Sequence, residues 1–171
     1  MDIKPRSTDR QFEYDKVYMK MALAISELSY AQRRKVGAII VSRDDQVISQ
    51  GYNGTPHGWD NCCEKTDPET GKLVTIPECL HAETNAITKC AKYMASTQDA
   101  TLYVTLSPCF DCAKLIIQSG IKRVVFKDVY RNLEGVEFLS KYGIKVQQIN
   151  MSEDKSWRFI DDVKQMTETK Y

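Results

Sequence analysis

Two short motifs constrain this chain more than anything else in it: Cys79-Leu80-His81-Ala82-Glu83-Thr84-Asn85-Ala86-Ile87 and, downstream, Ser107-Pro108-Cys109-Phe110-Asp111-Cys112. An imidazole and two thiolates fill three of the four positions of a tetrahedral zinc ion, and a catalytic site leaves the fourth to water. Cys109 and Cys112 stand one helical turn apart, and Pro108 just before them is a residue favoured at a helix start. Both sulfurs are therefore expected at a helix N-terminus, whose dipole favours negative charge. The run Ala82 to Met94 reads as another helix opened by His81, which sets Glu83 at the same helix end. A purely structural zinc site would show a fourth ligand in register and would leave Glu83 without a task.

Zinc lowers the pKa of a bound water to about 7, so that hydroxide is available at neutral pH for attack on an electron-poor ring carbon. Glu83 is the expected proton carrier, because one carboxylate lying beside water and ring can serve both in turn. His-x-Glu followed by Pro-Cys-x-x-Cys is the spacing of zinc enzymes that act on nucleobases.

Length and charge narrow the setting. The 171 residues are expected to form a single domain, 1–171, large enough for a core without staples. A net charge of +1 with mixed signs lacks the basic footprint of a nucleic-acid surface. The N-terminus lacks the apolar core of a signal peptide, and no apolar run is long enough to span a bilayer, so a cytoplasmic protein with no membrane partner is expected. The six cysteines are expected to be reduced thiols, since two belong to the metal motif and the chain is not a small secreted scaffold.

Taken in order, the first ten residues are polar and read as loose. Val17, Met21, Ala24, Ile25 and Leu28 recur at helical spacing and predict the apolar face of a helix. Val36 to Val41 reads as a strand buried on both faces, and Val47 to Tyr52 as its antiparallel partner across the turn Arg43 to Gln46. The segment Asn53 to Glu78 is too long for a plain connector; Asp67 to Lys72 within it reads as the tip of a small ribbon. Strands at Thr101 to Thr105, Arg123 to Phe126 and Ile144 to Ile149 alternate with helices at Cys109 to Ser119 and Leu133 to Tyr142. That alternation predicts parallel neighbours with right-handed crossovers. The expected fold is α/β, a three-layer α/β/α sandwich around a five-stranded mixed sheet, closed by a final helix from Ser156 to Met166.

From about Arg33 to Ile149 the chain resembles the deoxycytidylate (dCMP) deaminases of the cytidine deaminase superfamily. Four segments carry the likeness in order: Val36 to Val41, Gly51-Tyr52-Asn53-Gly54-Thr55-Pro56-x-Gly58, His81-Ala82-Glu83-x-Asn85-Ala86-Ile87 and Ser107-Pro108-Cys109-x-x-Cys112-Ala113-Lys114. The second sets the dCMP branch apart from the free-cytidine and tRNA-adenosine branches. The resemblance implies zinc-dependent hydrolysis of dCMP to dUMP and ammonia, feeding thymidylate synthesis. It also implies a homohexamer activated by dCTP and inhibited by dTTP with a magnesium ion.

Residue by residue, the resemblance gives Asn53 to the sugar, Ala82 and Ser107 to the base edge through their backbones, and Arg33, Tyr130 and Arg131 to the 5′-phosphate. It gives Gly54, Asp60 and Asn85 to the effector site. Asn53 also reads as a turn residue before Gly54, and Arg33 as a solvated charge beside Arg34. Cys62, Cys63 and Cys79 with His57 could form a second, structural zinc site, but no spacing pins the ligands, and packing as small hydrophobes is the competing reading. Cys90 reads as core. Two other functions fit the same metal motif: deamination of another small cytosine or purine compound, and a catalytically silent zinc-fold nucleotide sensor. Arg33 and Arg131 speak against the first and Glu83 against the second.

Overall fold

The computed structural model describes residues 7–151, 157–161 and 163–166. Helix α1 (Thr8–Ser26) leads into the hairpin β1 (Gly37–Val41) and β2 (Val47–Tyr52), then the short β3 (Glu64–Thr66) and β4 (Leu73–Thr75). Alternation follows: α2 (Ala82–Lys92), β5 (Thr101–Leu106), α3 (Phe110–Gln118), β6 (Arg123–Asp128), α4 (Glu134–Lys141), β7 (Lys145–Met151) and β8 (Trp157–Ile160). The main sheet has the order β2-β1-β5-β6-β7-β8. Strand β1 is antiparallel to β2 and β5, β5 to β7 run parallel, and β8 returns antiparallel to β7.

Strand alternation divides the core into two layers. Ala38, Ile40, Leu102, Val104, Val124 and Phe126 face α2, α3 and α4. Ile39, Val41, Tyr103, Val125 and Ile149 face α1. All five residues of β1 are buried, as expected of a strand covered on both sides. The ribbon β3–β4 stands apart from the main sheet; its tip is held by Asp67, whose Oδ1 accepts from the N–H groups of Glu69 and Thr70.

Two sequence expectations are corrected. Helix α1 starts at Thr8, within the stretch read as loose, because Ser7 caps it by accepting from the Arg10 N–H. Its buried face is Asp15, Tyr18, Met19, Ala22 and Ser26, while Val17, Met21, Ala24 and Leu28 are exposed. The reason is electrostatic: Asp15 is wholly buried and accepts both guanidinium arms of Arg123, at 2.7 and 2.8 Å, which turns that face to the sheet.

The second correction is at the C-terminal end, where the expected helix is instead β8 followed by a 3-10 turn at Val163–Gln165; Ser156 lies outside the described residues. Ile149 pairs with Phe159 and Gln148 with Ile160. Phe159 packs edge-on against Phe12 of the α1 layer, and Ile160 packs in the opposite layer. Successive residues thus serve opposite faces, the period of a strand, and among the described residues the sheet has six strands where five were expected.

Candidate active site

Helices α2 and α3 each begin at an expected zinc ligand. His81 is the N-cap of α2 and Cys109 that of α3, and the His81 side chain makes no capping hydrogen bond to its own helix, while Cys109 lies one turn from Cys112 of α3. The two N-cap side chains turn toward each other. Cys109 Sγ lies 3.5 Å from His81 Nδ1, and Cys112 Sγ lies 3.4 Å from the same nitrogen. Tetrahedral zinc with bonds of about 2.3 Å to sulfur and about 2.0 Å to nitrogen separates those atoms by about 3.5 Å. The donor set therefore fits zinc. It is the one group of three His, Cys, Asp or Glu side chains with metal-binding geometry among the described residues.

Electrostatics agree with that fit. A hydrogen bond with Cys112 draws Cys109 down to about 4 and raises Cys112, so one negative charge is shared between the sulfurs. A second thiolate there needs a cation beside it. Glu83 follows in the first turn of α2 and is 4% exposed. Burial pushes its carboxyl up to about 7, against the opposing pull of the His81 charge.

Two close backbone approaches hold these helix ends in place. A Cβ on Gly51 of β2 would stand 2.3 Å from the Ala82 carbonyl and 2.6 Å from the Ala86 nitrogen, so only glycine lets α2 lie this close to the strand. A Cβ on Gly135 of α4 would stand 2.1 Å from the Pro108 carbonyl, directly behind Cys109. Asn85 tethers α2 to β2 by donating to the Tyr52 carbonyl at 2.9 Å.

Beside the metal-ligand group opens a cavity of about 460 Å³. All six residues expected to bind substrate line it: Arg33, Asn53, Ala82, Ser107, Tyr130 and Arg131. The Ser107 N–H donates to the Asp128 carbonyl, and its Oγ accepts from the Tyr130 N–H, so the end of β5 fixes the loop after β6. Arg131 has a positive φ of 51°, and its guanidinium lies 4.8 Å over the Tyr130 ring. Neither Arg33 nor Arg131 pairs with a carboxylate among the described residues.

Asn53 has structural work of its own. Its Oδ1 accepts from the Val36 N–H and the Ser29 hydroxyl, and its Nδ2 donates to the Arg34 carbonyl at 2.9 Å. An amide nitrogen carries two N–H groups, so one remains to meet a ligand.

The expected effector residues do not line this cavity. Gly54 exchanges backbone hydrogen bonds with Leu80, which closes the loop between them, and the Asp60 carboxylate accepts from the Cys62 N–H. Cys63 and Cys79 are buried with Ala31 and Ile76, the thiol of Cys62 turns to the Glu64 carbonyl, and His57 is exposed. Burial pushes Cys79 up to about 12, the behaviour of a packed thiol. Among the described residues these side chains do not assemble a second metal site.

Residues 12–128 match the family model of the cytidine and deoxycytidylate deaminase zinc-binding region. The chain belongs to this family. It is 36% identical to the deoxycytidylate deaminase of Saccharomyces cerevisiae over 82% of this chain and 46% of the yeast protein, so it spans less than half of that relative. It is 36% identical to the deoxycytidylate deaminase of Enterobacteria phage T4 over 75% of this chain and 86% of the phage protein. Among solved structures, the dCMP deaminase of cyanophage S-TIM5 in complex with dCMP and dUMP superimposes with a TM-score of 0.72 at 39% identity, covering 86% of this chain and 99% of that one. Family membership and the His81, Cys109 and Cys112 group together support zinc as the metal of this deaminase fold.

Four cavity residues were not singled out from sequence: Arg34, Glu64, Thr75 and Leu106, the last residue of β5. Arg34 lines the cavity and pairs with Asp128 at 3.0 Å, and Glu64 and Thr75 come from the ribbon β3–β4. Arg34 stands beside Arg33 in the sequence, a signal that could have found it. Glu64 and Thr75 carry no such signal, because only the ribbon brings them to the cavity. No helix among the described residues is long and apolar enough to cross a membrane.

Proposed function

We propose that this protein is a zinc-dependent hydrolase that deaminates dCMP to dUMP and ammonia. The observation that carries the reading is the joint lining of one cavity by a metal-ligand pair with a buried carboxyl, His81 and Cys109 with Glu83, and by two cations without carboxylate partners among the described residues, Arg33 and Arg131. The first set suits deamination, the second a monoester phosphate. Zinc, when bound, supplies a water acidic enough to attack at neutral pH. Glu83 takes one proton from the attacking water and gives it to the ring nitrogen, then takes the second from the hydroxyl now on the ring carbon and gives it to the amine, so that the C–N bond breaks, ammonia departs and the carbon keeps the oxygen as a carbonyl. A carboxyl buried beside both the water and the ring is placed to take and give a proton in turn. The Ala82 and Ser107 backbones meet the base edge, the spare Asn53 N–H meets the sugar, and Arg33, Tyr130 and Arg131 hold the phosphate. The product dUMP is the pyrimidine that thymidylate synthesis consumes.

Ammonia release from dCMP, CMP, deoxycytidine and dCTP, measured side by side, tests the reading. The highest kcat/KM is expected for dCMP; equal values for deoxycytidine and dCMP overturn it.

Regulation belongs to the same proposal. The enzyme is a homohexamer in which dCTP activates and dTTP with magnesium inhibits, through Gly54, Asp60, Asn85 and the loop around them. Support comes from the resemblance and from a loop too long for a connector. An effector must bind two states with different affinity, so rate curves at subsaturating dCMP should rise with dCTP and fall with dTTP. Superimposable curves with and without both triphosphates remove this part.

A further inference from the structure

We infer that the ribbon β3–β4 is the positioning element of Arg33, with Glu64 as its decisive residue, so that preference for a phosphorylated substrate depends on a carboxylate acting through that arginine. The inference rests on the dCMP reading above. Glu64 is 5% exposed, although it lines the cavity proposed to receive an anion. Its Oε2 accepts from the Gln32 N–H at 3.1 Å and its Oε1 from the Arg33 N–H at 3.2 Å. No cation pairs with it among the described residues. One carboxylate that captures two successive N–H groups fixes the backbone between them, and charge-assisted bonds of this kind are the strong ones.

The other end of Arg33 is held from the same place. Its Nη1 donates to Thr75 Oγ1 at 3.1 Å, and Thr75 is the cross-strand partner of Glu64 in the ribbon. A single rung therefore holds the backbone of Arg33 through one residue and its guanidinium through the other. Arg33 is an exposed, flexible side chain that would otherwise lose rotamer freedom on meeting a phosphate. Ordering it beforehand removes that loss from binding. The same arrangement explains why a buried negative charge is tolerated beside an anion site: both oxygens are turned to backbone donors.

The competing account is that Glu64 merely staples the loop 29–35 to the ribbon. A staple whose loss loosens the cavity would weaken all substrates alike, whereas loss of a positioned Arg33 weakens only those with a phosphate. The experiment measures kcat/KM for dCMP and for deoxycytidine, together with zinc content, on the full chain, on Glu64→Gln and on Thr75→Val. An intact chain without preference for dCMP overturns the dCMP reading itself, and this inference with it. Given that preference, Glu64→Gln with stoichiometric zinc should lower the ratio of the two kcat/KM values about tenfold, chiefly through KM for dCMP. Thr75→Val, which removes one exposed hydroxyl, should lower the ratio about threefold and decides the matter if Glu64→Gln does not fold. A ratio that stays at the level of the intact chain in the folded variants overturns the inference.

Discussion

At the scale of single residues, the chemistry turns on the difference between holding a metal and moving a proton. Glu83 follows His81 by two residues yet is not among the grouped ligand atoms. Glu83→Gln should therefore keep stoichiometric zinc and lose turnover about 10²- to 10⁴-fold, the usual worth of a positioned acid-base group. Cys112→Ala should lose the metal itself. Metal analysis beside a rate assay separates the two, and a Glu83→Gln protein that keeps its rate would sink the assignment. Arg131→Ala tests the phosphate clamp. A charge-assisted bond is worth about 1.5–3 kcal/mol, so kcat/KM for dCMP should fall roughly tenfold to hundredfold relative to that for deoxycytidine. Parallel losses on the two substrates would give Arg131 a structural role. The grouping of His81, Cys109 and Cys112 was legible in the sequence because coordination chemistry dictates both residue type and spacing. Glu64 was not, since its place beside Gln32 and Arg33 exists only after the ribbon has folded back.

At the scale of elements, the candidate metal ligands His81 and Cys109 are only as well placed as the helices that begin with them. Cys109 opens α3, and the backbone of Pro108 and Cys109 lies against Gly135 of α4. Gly135→Ala would put a methyl 2.1 Å from the Pro108 carbonyl and 2.8 Å from the Cys109 carbonyl carbon, both backbone atoms with little room to yield. Overpacking of this kind costs about 1–3 kcal/mol or more. The variant should melt lower and also bind zinc more weakly, because the shift falls on a ligand's own backbone; competition with a chromophoric chelator measures the second effect. A lowered melting temperature with undiminished zinc affinity would show that α3 moves as a rigid unit. The alternating strands and helices from β5 to β7 were readable because their apolar runs agree with local geometry. Two other elements misled, α1 and β8. In α1 a charged residue, Asp15, marks the inner face, and periodicity of apolar residues cannot see a buried ion pair. In β8 Phe159 and Ile160 are neighbours in sequence, which satisfies a helical stripe as well as a two-sided strand until the layers above and below are known.

At the scale of the whole molecule, the sheet separates two tasks. The metal-ligand helices α2 and α3 pack on one face, and α1 covers the other. What fastens α1 is a polar network under the sheet. Asp15 accepts the two arms of Arg123 and the Tyr103 hydroxyl, and Arg123 also donates to Gln147 of β7 at 2.7 Å. Tyr103 is raised well above the ordinary phenol range, first by burial and then by the Asp15 charge, and so stays a neutral donor. Removing one partner of such a pair leaves the other charge buried without compensation, at a cost of about 3–5 kcal/mol. Asp15→Ala should consequently lower the melting temperature on the order of 10 °C. Its zinc content and its kcat for dCMP, measured well below the melting range, should match those of the unaltered protein, because the lesion lies across the sheet from the cavity. Asp15→Asn, which keeps the shape and a hydrogen-bond acceptor but not the charge, should fall between the two in stability. Loss of zinc or of rate in either variant at temperatures where circular dichroism reports a folded protein would mean that the two faces are coupled through β5 and β6. The network under α1 would then belong to the active-site scaffold.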